Sequence, residues 1–171
     1  RSLVGSDPST VMLVGMGANS TNFSIIKESI PFLNRSINIS GKTITAEISK
    51  RLNISLEEAE QFKFDLAFSD ESDPESSKII ADIVSPIVKE IKYMLDLFNS
   101  SNNERVEKII LSGGGSLLPN FVQSLESQLN IKVIIGDPWF RVSYPTELKP
   151  VLNEVGPKLA IAAGLALRGM E

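Results

Sequence analysis

The chain has 171 residues, 42% hydrophobic and 22% charged, which suits one ordinary domain or two small lobes with a proper core. Its formal net charge is −4 with no basic cluster to track a phosphate backbone, so nucleic-acid binding is not expected. Cysteine and histidine are both absent, which removes thiol nucleophiles, imidazole general bases, disulfides and Cys/His zinc sites together.

From the start, Arg1 to Thr10 is polar and turn-rich and reads as a loop. Val11-Met12-Leu13-Val14 is a buried strand that runs into Gly15-Met16-Gly17-Ala18-Asn19-Ser20-Thr21-Asn22, a small-residue turn rich in hydroxyls and amides. Phe23 to Lys27 resumes as a strand, Glu28-Ser29 turns the chain, and Pro31 to Ile39 is a third strand. The first two form a hairpin that the third extends antiparallel. Gly41 ends the sheet segment, and Ile44, Ile48 and Leu52 lie one turn apart, so Lys42 to Leu52 is an amphipathic helix. Ser55 and Glu58 make a capping-box pattern that opens the next helix, with Ala59, Phe62 and Leu66 facing inward. Asp65 to Ser77 carries five acidic residues and Pro74 and reads as an exposed loop. Ser76 to Phe98 is the longest helix, with Ile79, Ile83, Ile87, Ile91, Leu95 and Phe98 on one stripe; Pro86 inside it is expected to kink or split it. Asn99 to Glu104 is a polar connection.

Lys108 to Leu111 is a buried strand, followed by Gly113-Gly114-Gly115 and then by apolar residues at helical spacing, Leu118, Phe121, Val122, Leu125 and Leu129. Ile131 to Ile135 is another strand, so this stretch is β–α–β with parallel pairing. A glycine turn at a helix start can bring backbone N–H groups to an anion, and equally fits a tight connection packed for its own sake. After Gly136-Asp137-Pro138, Trp139 to Pro150 is irregular, and Pro157 to Leu167 is a small-residue helix suited to close packing. No apolar run approaches the roughly 20 residues of a membrane span and no signal peptide is visible, so a soluble cytoplasmic chain is expected. The organisation is nested: residues 1–36 and 105–171 form a sheet subdomain and 37–104 a helical insert.

Three stretches could converge on one ligand. Gly17, Ala18, Asn19, Ser20 and Thr21 form a hairpin turn whose N–H groups and hydroxyls can hold phosphate oxygens. Ser112, Gly113, Gly114, Gly115 and Ser116 form the glycine turn. Glu60 and Lys63 project from one helix face, a spacing also shared by ordinary solvated ion pairs.

Taken in order, these pieces resemble the second half of an actin-like nucleotide-binding protein. The fold class implied is α/β, an actin-like (ribonuclease H-like) fold of which only the second half is present: a mixed β-sheet lobe with an inserted, mostly helical subdomain. Val11 to Ile26 resembles the second phosphate loop of that superfamily. Ala59-Glu60-Gln61-Phe62-Lys63 resembles the insert helix whose Glu and Lys flank ribose and adenine. Leu111 to Pro119 resembles the adenosine loop, and Ala160 to Gly164 the closing helix. Within the superfamily the chain is most similar to the PilM family, cytoplasmic actin-like proteins of type IV pilus assembly. That similarity is carried by Ala18 to Asn22, Ile44 to Lys63, Leu111 to Pro119, Gly136 to Trp139 and Pro157 to Gly169.

The resemblance implies ATP with Mg2+ in a cleft between two halves. It also implies docking at the inner face of the membrane through the cytoplasmic tail of a PilN-like partner, without direct insertion, and a possible homo-oligomer. As a C-terminal half, the chain is expected to bind nucleotide weakly, with about half the contacts and the same association entropy. The family pattern is Asp-x-Gly where this sequence has Gly15-Met16-Gly17; that carboxylate would hold magnesium through its water shell. A nucleotide-holding scaffold with at most weak ATPase activity is therefore expected. The alternatives are an FtsA-like division scaffold, a small-molecule kinase of the same superfamily, and a domain of this fold that no longer binds nucleotide. The FtsA-like branch usually ends in a membrane-binding helix, and Leu167 to Glu171 shows none.

Overall fold

The computed structural model describes residues 2–5, 8–68, 74–101, 104–118 and 120–169, the side chains of 67, 68, 74–77 and 169 excepted. Pro119 and the middle of the acidic stretch, 69–73, fall outside the described residues. Among the described residues a single mixed sheet has strands in the order β3-β2-β1-β4-β5. They are β1 (Val11–Met16), β2 (Thr21–Lys27), β3 (Ile30–Ile37), β4 (Lys108–Ser112) and β5 (Lys132–Ile135). β1, β2 and β3 pair antiparallel, as expected of two hairpins. β1 pairs β4 in parallel and β4 pairs β5 in parallel, so the crossover read from the sequence forms.

Alternation along β1 and β4 splits their apolar side chains between two faces. Met12, Val14, Met16, Phe23, Ile25, Ile109 and Leu111 join the main core beneath the helices. Val11 and Ile110 face the other way, where Leu3 and Val4 pack on them. The opening loop is therefore part of the fold: Ser2 Oγ donates to Ala160 O at 2.9 Å, and Val4 is buried.

Helix α1 (Gly41–Leu52) starts at a reciprocal cap, in which Thr43 N–H donates to Ser40 Oγ and Ser40 N–H donates to Thr43 Oγ1. It ends where Asn53 turns left-handed at φ 54°, a conformation Asn tolerates. Helix α2 (Leu56–Phe68) has the expected Ser55–Glu58 box, with bonds of 2.8 and 3.1 Å. Ala59 and Leu66 are buried and Phe62 packs partly against the core.

Several sequence expectations need correction. The acidic loop is shorter than read, because α2 continues to Phe68 and α3 (Pro74–Ser101) opens on Pro74; proline is favoured in the first turn, where its missing N–H would be unpaired anyway. Pro86 does not split α3, which is continuous to Ser101. The inward stripe of α3 is Ile80, Val84, Ile87, Val88, Ile91, Met94, Leu95 and Phe98, while Ile79 and Ile83 are only half-buried. Steps of four residues drift about 40° each around a helix, so one buried face must mix steps of three and four. The glycines do not open a helix directly. They enter a short 3-10 turn, Gly114–Leu117, and α4 (Phe121–Leu129) starts only after it. Finally, α5 runs Lys149–Ala166, taking in Pro150 and Pro157, so part of the stretch read as irregular is helical. Among the described residues no helix is long and apolar enough to cross a membrane.

Candidate functional site

Two neighbouring parallel strands end together. Gly15 of β1 pairs with Ser112 of β4, so the β1–β2 turn and the glycine stretch leave the sheet side by side. In open α/β sheets this carboxyl edge is where ligands bind.

Two of the three glycines are there because the chains come so close. Gly113 has φ 81°, and a Cβ on it would lie 2.3 Å from Met16 O. A Cβ on Gly115 would lie 2.7 Å from Met16 Cβ. Gly113 N–H also donates to Pro157 O at 2.7 Å, stitching the turn to α5. Gly114 differs: its Cβ would meet nothing nearer than Lys158 Cγ at 3.9 Å. The β1–β2 turn closes through Gly17 N–H to Ser20 O at 3.0 Å. Its carbonyls at Gly17 and Ala18 accept the N–H groups of Gly41 and Lys42 at 2.9 and 3.2 Å, satisfying two donors that a helix start leaves open.

The Glu60–Lys63 pair is more than a solvated surface contact. Lys63 Nζ donates to Glu60 Oε2 and to Thr45 Oγ1, both at 2.7 Å, and to Gly41 O at 3.2 Å. Thr45 Oγ1 in turn lies 2.5 Å from Glu60 Oε2. The group ties α2 to the first turn of α1. Burial pushes the Glu60 carboxyl up, but the Lys63 and Thr45 hydrogen bonds, with the charges of Lys63 and Lys158, outweigh it and hold the carboxyl below its ordinary value.

A cavity of about 1150 Å³ opens between these parts, somewhat larger than most small-molecule sites. Of the residues picked out from sequence, Gly17, Ala18, Glu60, Lys63, Ser112, Gly113, Gly114 and Gly115 line it. Asn19, Ser20, Thr21 and Ser116 do not. Thr21 and Ser116 are buried and spend their hydroxyls on Ile39 O and Gly113 O, while Asn19 is exposed and Ser20 half-buried.

Sequence reasoning missed other lining residues: Lys42, Phe64, Lys158 and Arg168. They come from α1, α2, α5 and the turn after α5, and no local spacing links them. Lys158 reaches from α5 to α2, its Nζ 5.8 Å from the centre of the Phe64 ring. The charge around the cavity is lopsided. Among the described residues its lining carries Lys42, Lys63, Lys158 and Arg168 against the single carboxylate of Glu60, in a chain whose net charge is −4. Such a cavity suits an anionic ligand. It is not a protein-built metal cage, since no cluster of three or more Asp, Glu, His or Cys is placed to hold a metal among the described residues.

Sheet order, helices and edge cavity together make this an actin-like fold lobe. It resembles MreB5 of Spiroplasma citri bound to ADP with a TM-score of 0.70 at 13% identity, over 95% of this chain and 54% of that one. The ethanolamine utilization protein EutJ from Carboxydothermus hydrogenoformans is similar at a TM-score of 0.61 and 16% identity, over 93% and 48% of the two chains. More specifically, the chain belongs to the family of the type IV pilus assembly protein PilM, whose model matches residues 4–170. The solved PilM-PilN type IV pilus biogenesis complex is similar with a TM-score of 0.81 and 27% identity, over 97% of this chain and 47% of that one. The chain thus spans about half the length of the solved structures it matches.

Proposed function

We propose that this chain supplies one wall of an ATP site in a cytoplasmic scaffold for type IV pilus assembly, and that it holds nucleotide without turning it over quickly. The observation that carries this reading is the cavity lining: four cations facing one carboxylate, beside two glycine-rich turns at the ends of parallel strands. Phosphates would sit by Gly17, Ala18 and Gly113 to Gly115, where backbone can approach closely, and the nucleoside end would lie toward Glu60 and Lys63. The adjoining cations supply the countercharge. In this reading residues 1–36 and 105–171 form the sheet subdomain and 37–104 the insert.

The residues present fit a nucleotide better than they fit a directly ligated ion. Magnesium characteristically keeps several waters and is held through substrate phosphates, and that mode asks least of this lining. Bound there, Mg2+ would neutralise phosphate charge. Gly15, where the family resemblance implies an Asp, offers it no carboxylate. A side chain would fit, since a Cβ at Gly15 meets only Ser112 Oγ at 3.6 Å and Asn22 O at 3.9 Å.

Support for the partner comes from the family and from the likeness to a PilM-PilN complex. The proposed partner is a PilN-like cytoplasmic tail, which would hold the scaffold at the inner membrane face without insertion. Isothermal titration with ATP and magnesium, on wild type and Gly15→Asp, tests the nucleotide part. Both should bind, and ATP hydrolysis should rise only in Gly15→Asp. Absence of binding by both proteins at millimolar ATP, in heat and in amide NMR shifts alike, would overturn it, leaving the glycine turns as packing devices.

A further inference from the structure

Away from the cavity, β3 is an open edge of the sheet. Among the described residues its backbone hydrogen bonds go only to β2, and an edge in that state is a template for another strand. Beside it runs one stripe of α3, Pro86, Glu90, Tyr93 and Leu97, in steps of four, three and four residues. Phe32 meets Phe98, and Arg35 meets Glu90 and Tyr93, so strand and helix run in opposite directions. Between them lies a shallow groove of about 400 Å³ lined by Arg35, Pro86, Lys89, Glu90 and Tyr93. Past Tyr93, the exposed side chains of Ile30, Phe32 and Leu97 make the other end apolar. From Pro86 to Leu97 the helix covers roughly 16 Å, the reach of about five extended residues.

Charge selects the occupant. Arg35 is fixed by its Nε, 2.5 Å from Glu90 Oε1, and by lying 4.9 Å above the Tyr93 ring. Among the described residues its two terminal nitrogens have no acceptor, exposed Lys89 has no carboxylate partner and the Tyr93 hydroxyl has no hydrogen bond. A fixed guanidinium beside a free ammonium and a phenol suits a carboxylate. A second copy of the chain fits less well. Pro31, and the bulge that leaves Phe32 without a partner on β2, blunt the start of β3. Pairing is then left to Leu33 to Ile37, and a two-fold axis through that stretch would set Arg35 against itself, where like charges repel. We propose that the β3–α3 groove binds an extended segment of a partner protein, which adds to the edge of the sheet. Its Asp or Glu side chain meets Arg35 and Lys89, and an apolar side chain covers Phe32 and Leu97. The groove shares no residue with the cavity, and this assignment does not rest on the nucleotide reading.

The test is selection of displayed random ten-residue peptides on the full chain, followed by amide NMR with the best synthetic binder. Selected peptides should carry Asp or Glu beside β-branched or aromatic residues. The binder should move the amides of Leu33 to Ile37 and leave Gly17 and Gly113 to Gly115 unmoved. Methylating alternate peptide nitrogens should weaken binding by more than about 10-fold in one frame and far less in the other, because only every second residue of an added strand bonds the edge. Lys89→Glu changes an exposed residue and should weaken binding roughly 10-fold. Replacing the peptide's acidic residue by Lys should cost less on Lys89→Glu than on wild type. A selection whose binders leave β3 unmoved, or carry no acidic residue, would overturn the proposal. Indifference to methylation in both frames would do the same, as would wild-type affinity in Lys89→Glu. Shifts at β3 that grow with protein concentration in the absence of peptide would give the edge to a second copy and overturn it too.

Discussion

Gly113 joins three parts of the molecule. Its φ of 81° and the 2.3 Å from a Cβ there to Met16 O leave no room for a side chain, and its N–H holds Pro157 of α5. Gly113→Ala should therefore cost roughly 2–4 kcal/mol by urea denaturation, combining left-handed strain with a backbone clash. Gly114→Ala meets only a flexible lysine stem and should cost under about 1 kcal/mol. Equal losses would contradict the different roles given to adjacent glycines.

Glu60 makes a second prediction. Its carboxyl is held low in the folded chain, so ionisation favours folding. That contribution is fully present above the ordinary glutamate value of 4.5 and disappears as pH falls through the lower folded value. The side chain is mostly exposed, and screening limits the effect to under about 1 kcal/mol. Denaturation of wild type and Glu60→Gln should show a small gap at pH 7 that closes on acidification; a gap that widens would reverse the sign.

The Glu60–Lys63 spacing was legible in the sequence because a helix period puts both on one face. Thr45 and Lys158 were not, since each reaches the pair from another helix and only tertiary packing brings them there. The glycine triplet was ambiguous for a related reason: close approach and ligand access demand the same residue, and Met16, which decides between them at Gly113 and Gly115, lies far off in sequence.

In α3, Pro86 sits inside a continuous helix. It removes one backbone donor and crowds the preceding turn. Since Pro86 is itself exposed, Pro86→Ala should stabilise the protein by about 1–3 kcal/mol in chemical denaturation. Destabilisation would mean that the proline has a packing role its exposure does not show. β3 is an edge strand fastened to this helix by side chains. Phe32 meets Phe98 edge-on at 5.4 Å between ring centres, and Arg35 lies 4.9 Å above the Tyr93 ring. Arg35 Nε is 2.5 Å from Glu90 Oε1, yet that buried oxygen receives no well-directed hydrogen bond; charge and not geometry holds the pair. Strands and caps could be read from sequence because alternation and the Ser-x-x-Glu pattern are local signals. The start of α5 could not, because Pro150 and Pro157 look like helix breakers, and only the structure shows them tolerated in the first turn and in the buried interior.

Across the molecule, the family resemblance held over residues 4–170 because the actin-like lobe writes its turns into the sequence as glycine and small-residue runs. The gathering of Lys42, Lys63, Lys158 and Arg168 around one cavity was hidden, since the four are scattered over the chain and its net charge is negative. That gathering is the reason for assigning the cavity a phosphate-bearing ligand. The chain is small enough for amide-resolved NMR, and such spectra detect weak binding that calorimetry can miss. An ADP–magnesium titration followed by amide shifts should move Gly17, Ala18 and Gly113 to Gly115 together, saturating along one curve, with smaller changes at Glu60 and Lys63. Spectra unchanged at millimolar ADP, or shifts gathered on the β3–α3 face and absent from those glycines, would contradict the assignment.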